Sequence, residues 1–168
     1  ASFKNPGGGF LKGAVAQEEY LCQNSTLYNV LSQFTSYYEK NRLNTNDALY
    51  WNRAIYSPGI VVLPSEVKVD VLSCAAPNIK ASRMIDSKKV QAVISRIKFV
   101  LDILEKEGCD TVILGAFGCG VFGNDPRFVA KIFRSQGVLH RGFKRVVFAI
   151  LNSKSVNHRA FEEVYSDL

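Results

Sequence analysis

Apolar positions recur along the chain at helical and at extended spacing. Leu27, Val30, Leu31 and Phe34 fall three, four and seven apart, and with Leu21, six residues earlier, they predict one helix from Gln17 to about Phe34. The clearest helix runs from Ser87 to Glu107. Its stripe is Val90, Val93, Ile94, Ile97, Leu101 and Leu104, and Gly108 follows where a C-terminal cap glycine belongs. Asp125-Pro126 opens another helix reaching about Gln136, with Asp at the cap and Pro at the first helical position. A short helix is expected around Ala160 to Tyr165. Extended segments are expected at Ile55–Ser57 and Gly59–Leu63, around a turn at Pro58-Gly59, and at Val67–Cys74. Thr111–Ala116 and Arg145–Leu151 are continuous apolar runs and predict strands buried on both faces. Tyr38–Trp51 is polar and predicts a loop or broken helix. Ala1–Gly9 reads as the end of a strand entering a glycine loop. Strands alternating with helices imply an α/β domain with helices on both faces of a sheet, spanning residues 1–168.

Composition narrows the partners. Of 168 residues, 47% are apolar and 21% charged, enough for a hydrophobic core. Net charge is +6, from 21 Lys and Arg against 15 Asp and Glu, which favours an anionic ligand. The basic residues form no dense block, and charge alone does not separate nucleic acid from a diphosphate-bearing ligand; no direct nucleic-acid partner is expected. No run is long enough to span a bilayer, and no signal peptide opens the chain. Cys22, Cys74, Cys109 and Cys119 include no CxxC pair, and only His140 and His158 could join them. The expectation is free thiols, no metal, no cofactor, and an intracellular, cytoplasmic protein.

Two glycine loops stand out. In Asn5-Pro6-Gly7-Gly8-Gly9-Phe10, bare backbone N–H groups can approach a ligand oxygen closely. Gly118-Cys119-Gly120-Val121-Phe122-Gly123 sits between a strand and the helix opened at Asp125, the arrangement that cradles diphosphates. It also fits G-x-G-x-x-G, but the next strand ends at Leu151-Asn152 without the acid that a dinucleotide-binding unit places there. A nucleotide-dependent oxidoreductase is therefore a weak alternative. Separated from Gly9 by seven residues, Gln17-Glu18-Glu19 stands at a helix start. Neighbouring helical residues point about 100° apart, so the two glutamates cannot flank one bond and must take different roles. A general acid must hold its proton; the helix dipole opposes this, while a bound diphosphate and loss of water favour it. Cys119 lacks a partner histidine and is expected to pack rather than react; both histidines are expected at the surface.

Together, Gly7-Gly8-Gly9, the seven-residue spacer and Gln17-Glu18-Glu19 resemble the signature of bacterial-type poly(ADP-ribose) glycohydrolases, which have the macrodomain fold. The segments Leu114–Pro126, Ile55–Gly59 and Ala75–Asn78 resemble the same family. The resemblance implies a three-layer α/β/α sandwich with a mixed sheet, and hydrolysis of the ribose–ribose bond to release ADP-ribose. It implies that Glu19 is the general acid and base, and that Glu18 holds the ribose hydroxyls. Gly7, Gly8, Gly9 and Gln17 would line the scissile ribose. Gly118, Cys119, Gly120, Val121 and Phe122 would hold the diphosphate, with Phe122 against the distal ribose. ADP-ribose, its polymer and ADP-ribosylated proteins are the implied partners. The family's upstream strands are absent from this sequence, so an N-terminally truncated sheet is expected. A non-catalytic ADP-ribose reader and a hydrolase of mono-ADP-ribosylated targets remain alternatives.

Overall fold

A computed structural model describes residues 1–167. The chain divides into two compact units. The first comprises Ala1–Asn46 and Tyr50–Ala75, and the second Asp47–Leu49 with Ala76 onward.

The first unit carries three helices, α1 (Gln17–Gln23), α2 (Leu27–Leu31) and α3 (Thr35–Leu43), and two strands, β1 (Ala54–Val62) and β2 (Val67–Cys74). Cys22, Leu27, Leu31, Tyr38, Ile55 and Ile60 form its core. The helix expected from Gln17 to Phe34 is broken at Asn24-Ser25-Thr26. There Asn24 Nδ2 donates to Tyr20 O and Ser25 Oγ to Leu21 O, local bonds that compete with helix propagation. The freed backbone pairs instead with the end of β1, through Thr26 N to Val61 O and Leu63 N to Asn24 O. Helix α3 begins before the stretch read as a loop or broken helix and ends inside it, at Leu43. Its buried residues are Tyr38 and Asn41, three apart, and such a face lacks the aliphatic stripe that periodicity detects. Pro58-Gly59 is a bulge inside one continuous strand rather than a turn between two; the antiparallel register shifts between Ser57 and Ile60. Ala1–Gly9, expected as a strand end, has bends and turns from Phe3 onward, closed by Lys4 N and Asn5 N to Ser2 Oγ and by Gly8 N to Asn5 O.

The second unit holds α4 (Asp86–Lys106), β3 (Thr111–Leu114), α5 (Pro126–Ser135), β4 (Arg145–Phe148) and α6 (Val156–Tyr165). Strands β3 and β4 pair in parallel, Val112 opposite Val146. Val93, Ile97 and Leu101 of α4, Val129 and Phe133 of α5, and Phe161 and Val164 of α6 build the core, with Leu114, Val146 and Phe148 packed on it. The strands are shorter than expected, and β3 buries one face only: Val112 is 3% exposed and its neighbour Ile113 69%. The helix boundaries follow their capping residues. Asp125 accepts from Phe128 N at 2.6 Å, and Gly108 adopts φ 72° beyond α4. Ser155, capping His158 N, starts α6 four residues earlier than expected. Antiparallel and parallel pairing both occur, as in the mixed α/β architecture expected. No helix among the described residues is long and apolar enough to cross a membrane.

Candidate active site

In the first unit, the triple glycine and the glutamate pair are joined by direct bonds. Gly7 and Gly8 have φ of 64° and 60°, the left-handed region where a side chain is strained. The turn is closed by Gly8 N to Asn5 O and Phe10 N to Gly7 O. A short 3-10 turn, Phe10–Lys12, follows, and Gly9 O accepts from both Lys12 N and Ala14 N. The spacer is thus a closed loop rooted on Gly9. Its tip is solvent-facing, with Leu11 74% and Val15 82% exposed.

Glu18 and Glu19 lie in the first turn of α1, whose cap residue Ala16 offers no side-chain acceptor. Each carboxylate takes a main-chain donor from the segment that carries the glycines. Glu19 Oε1 accepts from Gly9 N at 3.0 Å. Glu18 Oε2 accepts from Ser2 N. Glu18 is buried, and its Oε1 has no hydrogen-bond partner. Burial raises the Glu18 pKa above the ordinary carboxylate value, and the Glu19 charge acts in the same direction. An unpaired buried carboxylate oxygen is costly in isolation and suits an incoming hydroxyl donor. The glycines are required by contact as well as by φ. A Cβ at Gly7 would lie 2.9 Å from Tyr28 Cδ2, one at Gly9 2.6 Å from Ala14 Cβ, and one at Gly8 against Glu19 Oε1. Gln17 is exposed at the first position of α1.

In the second unit, the loop after β3 is tied by Cys119 N to Ala116 O, Gly123 N to Gly120 O and Asn124 N to Gly118 O. This leaves the N–H groups of Gly120 and Val121 without an acceptor among the described residues. Val121 is 82% exposed, Phe122 half-buried, and Phe122 O accepts from Lys80 N. The Cys119 thiol faces Phe117 O, and burial pushes its pKa up to about 12, which removes it as a nucleophile. His140 is exposed; His158 is half-buried, its Nδ1 lying 3.9 Å from Glu162 Oε2. Among the described residues, no three His, Cys, Asp or Glu side chains gather as a metal site would need.

Several residues escaped sequence reasoning. Asn124, buried, braces the second loop by donating from Nδ2 to Pro77 O and Gly118 O. A Cβ at Gly118 would meet that amide and, at 2.6 Å, Ala76. Ser2 supplies the donor to Glu18, and Asn41 anchors the segment that carries it. Only an amide between a glycine loop and a helix cap hinted at Asn124.

A family model described as the microbial-type poly(ADP-ribose) glycohydrolase catalytic domain matches residues 1–65, which include both the triple glycine and the glutamate pair. The poly(ADP-ribose) glycohydrolase of Thermomonospora curvata, bound to the inhibitor ADP-HPD, is 35% identical with a TM-score of 0.90. The match covers 98% of this chain and 68% of that one. The Deinococcus radiodurans enzyme in complex with ADP-ribose is 36% identical with a TM-score of 0.88, over 100% of this chain and 74% of that one. No curated protein sequence matches. Identity above a third across nearly the whole chain, with the same fold and the glycine–glutamate signature in place, places this chain in the family of bacterial-type poly(ADP-ribose) glycohydrolases.

Proposed function

We propose that the chain hydrolyses the ribose–ribose bonds of poly(ADP-ribose), releasing ADP-ribose, and that Glu18 and Glu19 divide the work. The observation that carries this is the asymmetric bonding of two adjacent glutamates. With Glu19 Oε1 held by Gly9 N, its Oε2 is the oxygen left to carry a proton. That proton passes to the ribose oxygen of the leaving group as its bond to the anomeric carbon breaks. The resulting carboxylate then takes a proton from a water whose oxygen bonds to that carbon, which restores Glu19 and balances the reaction. Glu18, fixed through Oε2, presents its unpaired Oε1 to the ribose hydroxyls and orients the sugar. Gly7, Gly8, Gly9 and Gln17 line the scissile ribose. In the loop Gly118–Phe122, the free N–H groups of Gly120 and Val121 suit a diphosphate, and Cys119 shapes the turn that presents them. Residues 1–168 act as one catalytic domain, working on ADP-ribose polymers and ADP-ribosylated proteins in the cytoplasm, without metal or cofactor.

A non-catalytic reader is disfavoured by the same pair, since two carboxylates weaken the binding of an anionic ligand. In a product assay on poly(ADP-ribose), Glu19→Ala is expected to abolish ADP-ribose release while calorimetric binding of ADP-ribose stays near the parent value. Full turnover by that variant would overturn the assignment. A parallel arm with mono-ADP-ribosylated protein tells polymer from single-unit substrates.

A further inference from the structure

Helix α3 addresses the backbone that serves the glutamates with two consecutive side chains. Asn41 Nδ2 donates to Phe3 O at 2.9 Å, and Arg42 Nη1 donates to Lys4 O at 2.7 Å. Asn41 is completely buried. Its other amide atom, Oδ1, accepts from Arg53 Nη1 at 2.8 Å, which fixes which end of the amide faces Phe3. Phe3 is itself buried, its ring stacked on Tyr50 at 4.4 Å and 16°. Immediately before Phe3 stands Ser2, whose N–H is the donor to Glu18; the Ser2 hydroxyl accepts from Lys4 N and Asn5 N, and Asn5 O accepts from Gly8 N. One hydrogen-bonded path therefore runs from Arg53 through Asn41 to the Phe3–Lys4 peptide, and from Lys4 N to the hydroxyl of Ser2, the residue whose N–H holds Glu18.

We propose that Asn41 is a positioning residue for Glu18, acting through Phe3 and Ser2, with Arg53 setting the orientation of its amide. A purely structural role would be served by an apolar residue on this face, and a buried amide is retained only where both its ends are satisfied. The main-chain N–H of Ser2 donates to Glu18 Oε2, while Glu18 Oε1 has no hydrogen-bond partner. Displacing the Phe3 carbonyl displaces that donor, and with it the carboxylate offered to ribose. The inference rests on the assignment of Glu18 to the ribose hydroxyls.

Asn41→Asp tests it without a change of volume. It keeps the acceptor for Arg53 and turns the donor facing Phe3 O into an oxygen. Calorimetric affinity for ADP-ribose is measured for the parent, Asn41→Asp, Glu18→Ala and the double variant, with melting temperature alongside. The expected result is about a tenfold loss of affinity in Asn41→Asp and no further loss when the same change is made in Glu18→Ala. Equal losses in both backgrounds, or parent-like affinity in Asn41→Asp, would overturn the proposal. If Asn41→Asp does not fold, Arg53→Ala is put through the same cycle, with a smaller loss expected and the same pattern decisive. Failure here is distinct from failure of the Glu18 assignment, which Glu18→Ala decides alone: parent-like affinity in that variant removes the reading on which the proposal rests and overturns it too.

Discussion

Gly8 offers the sharpest test of the coupling between the glycine turn and the acid, because Gly13 supplies a control with the same backbone conformation. Both have positive φ, 60° and 77°. Alanine at either position bears the left-handed penalty of about 1–2 kcal/mol. At Gly13 the new methyl meets nothing within 4 Å. At Gly8 it falls on Glu19 Oε1, with the carboxyl carbon 3.0 Å away, so the carboxylate must leave the Gly9 N–H. The lost bond adds about 1–2 kcal/mol, the lower part of the range for hydrogen bonds to charged groups because Glu19 is only half-buried. For a chain of this size each kcal/mol shifts the melting temperature by roughly 2–4 °C. Gly13→Ala is therefore expected to melt about 2–8 °C lower with parent kcat. Gly8→Ala should melt lower still, and its kcat should fall by on the order of 10²-fold, the cost of moving a reacting group by about 1 Å. Turnover on poly(ADP-ribose) and thermal denaturation, measured side by side, decide it. If Gly8→Ala kept kcat within twofold of Gly13→Ala, the turn would not be positioning Glu19.

Three further outcomes are expected. Glu18 is buried with a raised pKa, so its burial favours folding below the unfolded carboxylate value near 4.5, and that contribution is lost as pH rises through the folded value; Glu18→Gln should raise the melting temperature at pH 7 and by much less at pH 4, and an equal shift at both would refute this. Cys22 and Cys119, with pKa values pushed to about 11 and about 12 mainly by burial, should resist iodoacetamide at pH 8 in the native protein and react on unfolding, as read by mass spectrometry; rapid native labelling would contradict the burial. Asn124→Ala removes the brace from Gly118 O and Pro77 O and should weaken ADP-ribose binding about tenfold; unchanged affinity would show that the loop holds its shape unaided.

The sequence reading succeeded where one residue type has one physical meaning. A stripe of Val, Ile and Leu ending in glycine located α4, and Asp-Pro located the start of α5 within a residue. The glycine and glutamate motifs could be linked because seven residues cannot separate them far. What escaped were polar side chains whose main-chain partner lies far along the chain, as in Asn41 with Phe3 O and Asn124 with Pro77 O. Asn41 reads as an ordinary polar residue in a polar stretch, since nothing in residue types reveals that it will face Phe3 O. Likewise the step from Leu21 to Leu27 across Asn24–Thr26 is too short a gap to end a helix by pattern alone, and the pairing with β1 shows why the helix stops there. The half-open strand β3 was misjudged because a continuous apolar run records composition, not which face is covered.

The spacer that returns to Gly9 has a practical bearing. Because both of its closing bonds use main-chain atoms, the identities of Leu11 and Val15 carry none of its shape. A cysteine at either position would hold a fluorophore a few residues from Gly9 and Glu19 on a loop tied at its base by main-chain bonds. On the proposed role of Glu19, the emission of such a label is expected to change on addition of ADP-ribose while turnover stays at the parent value.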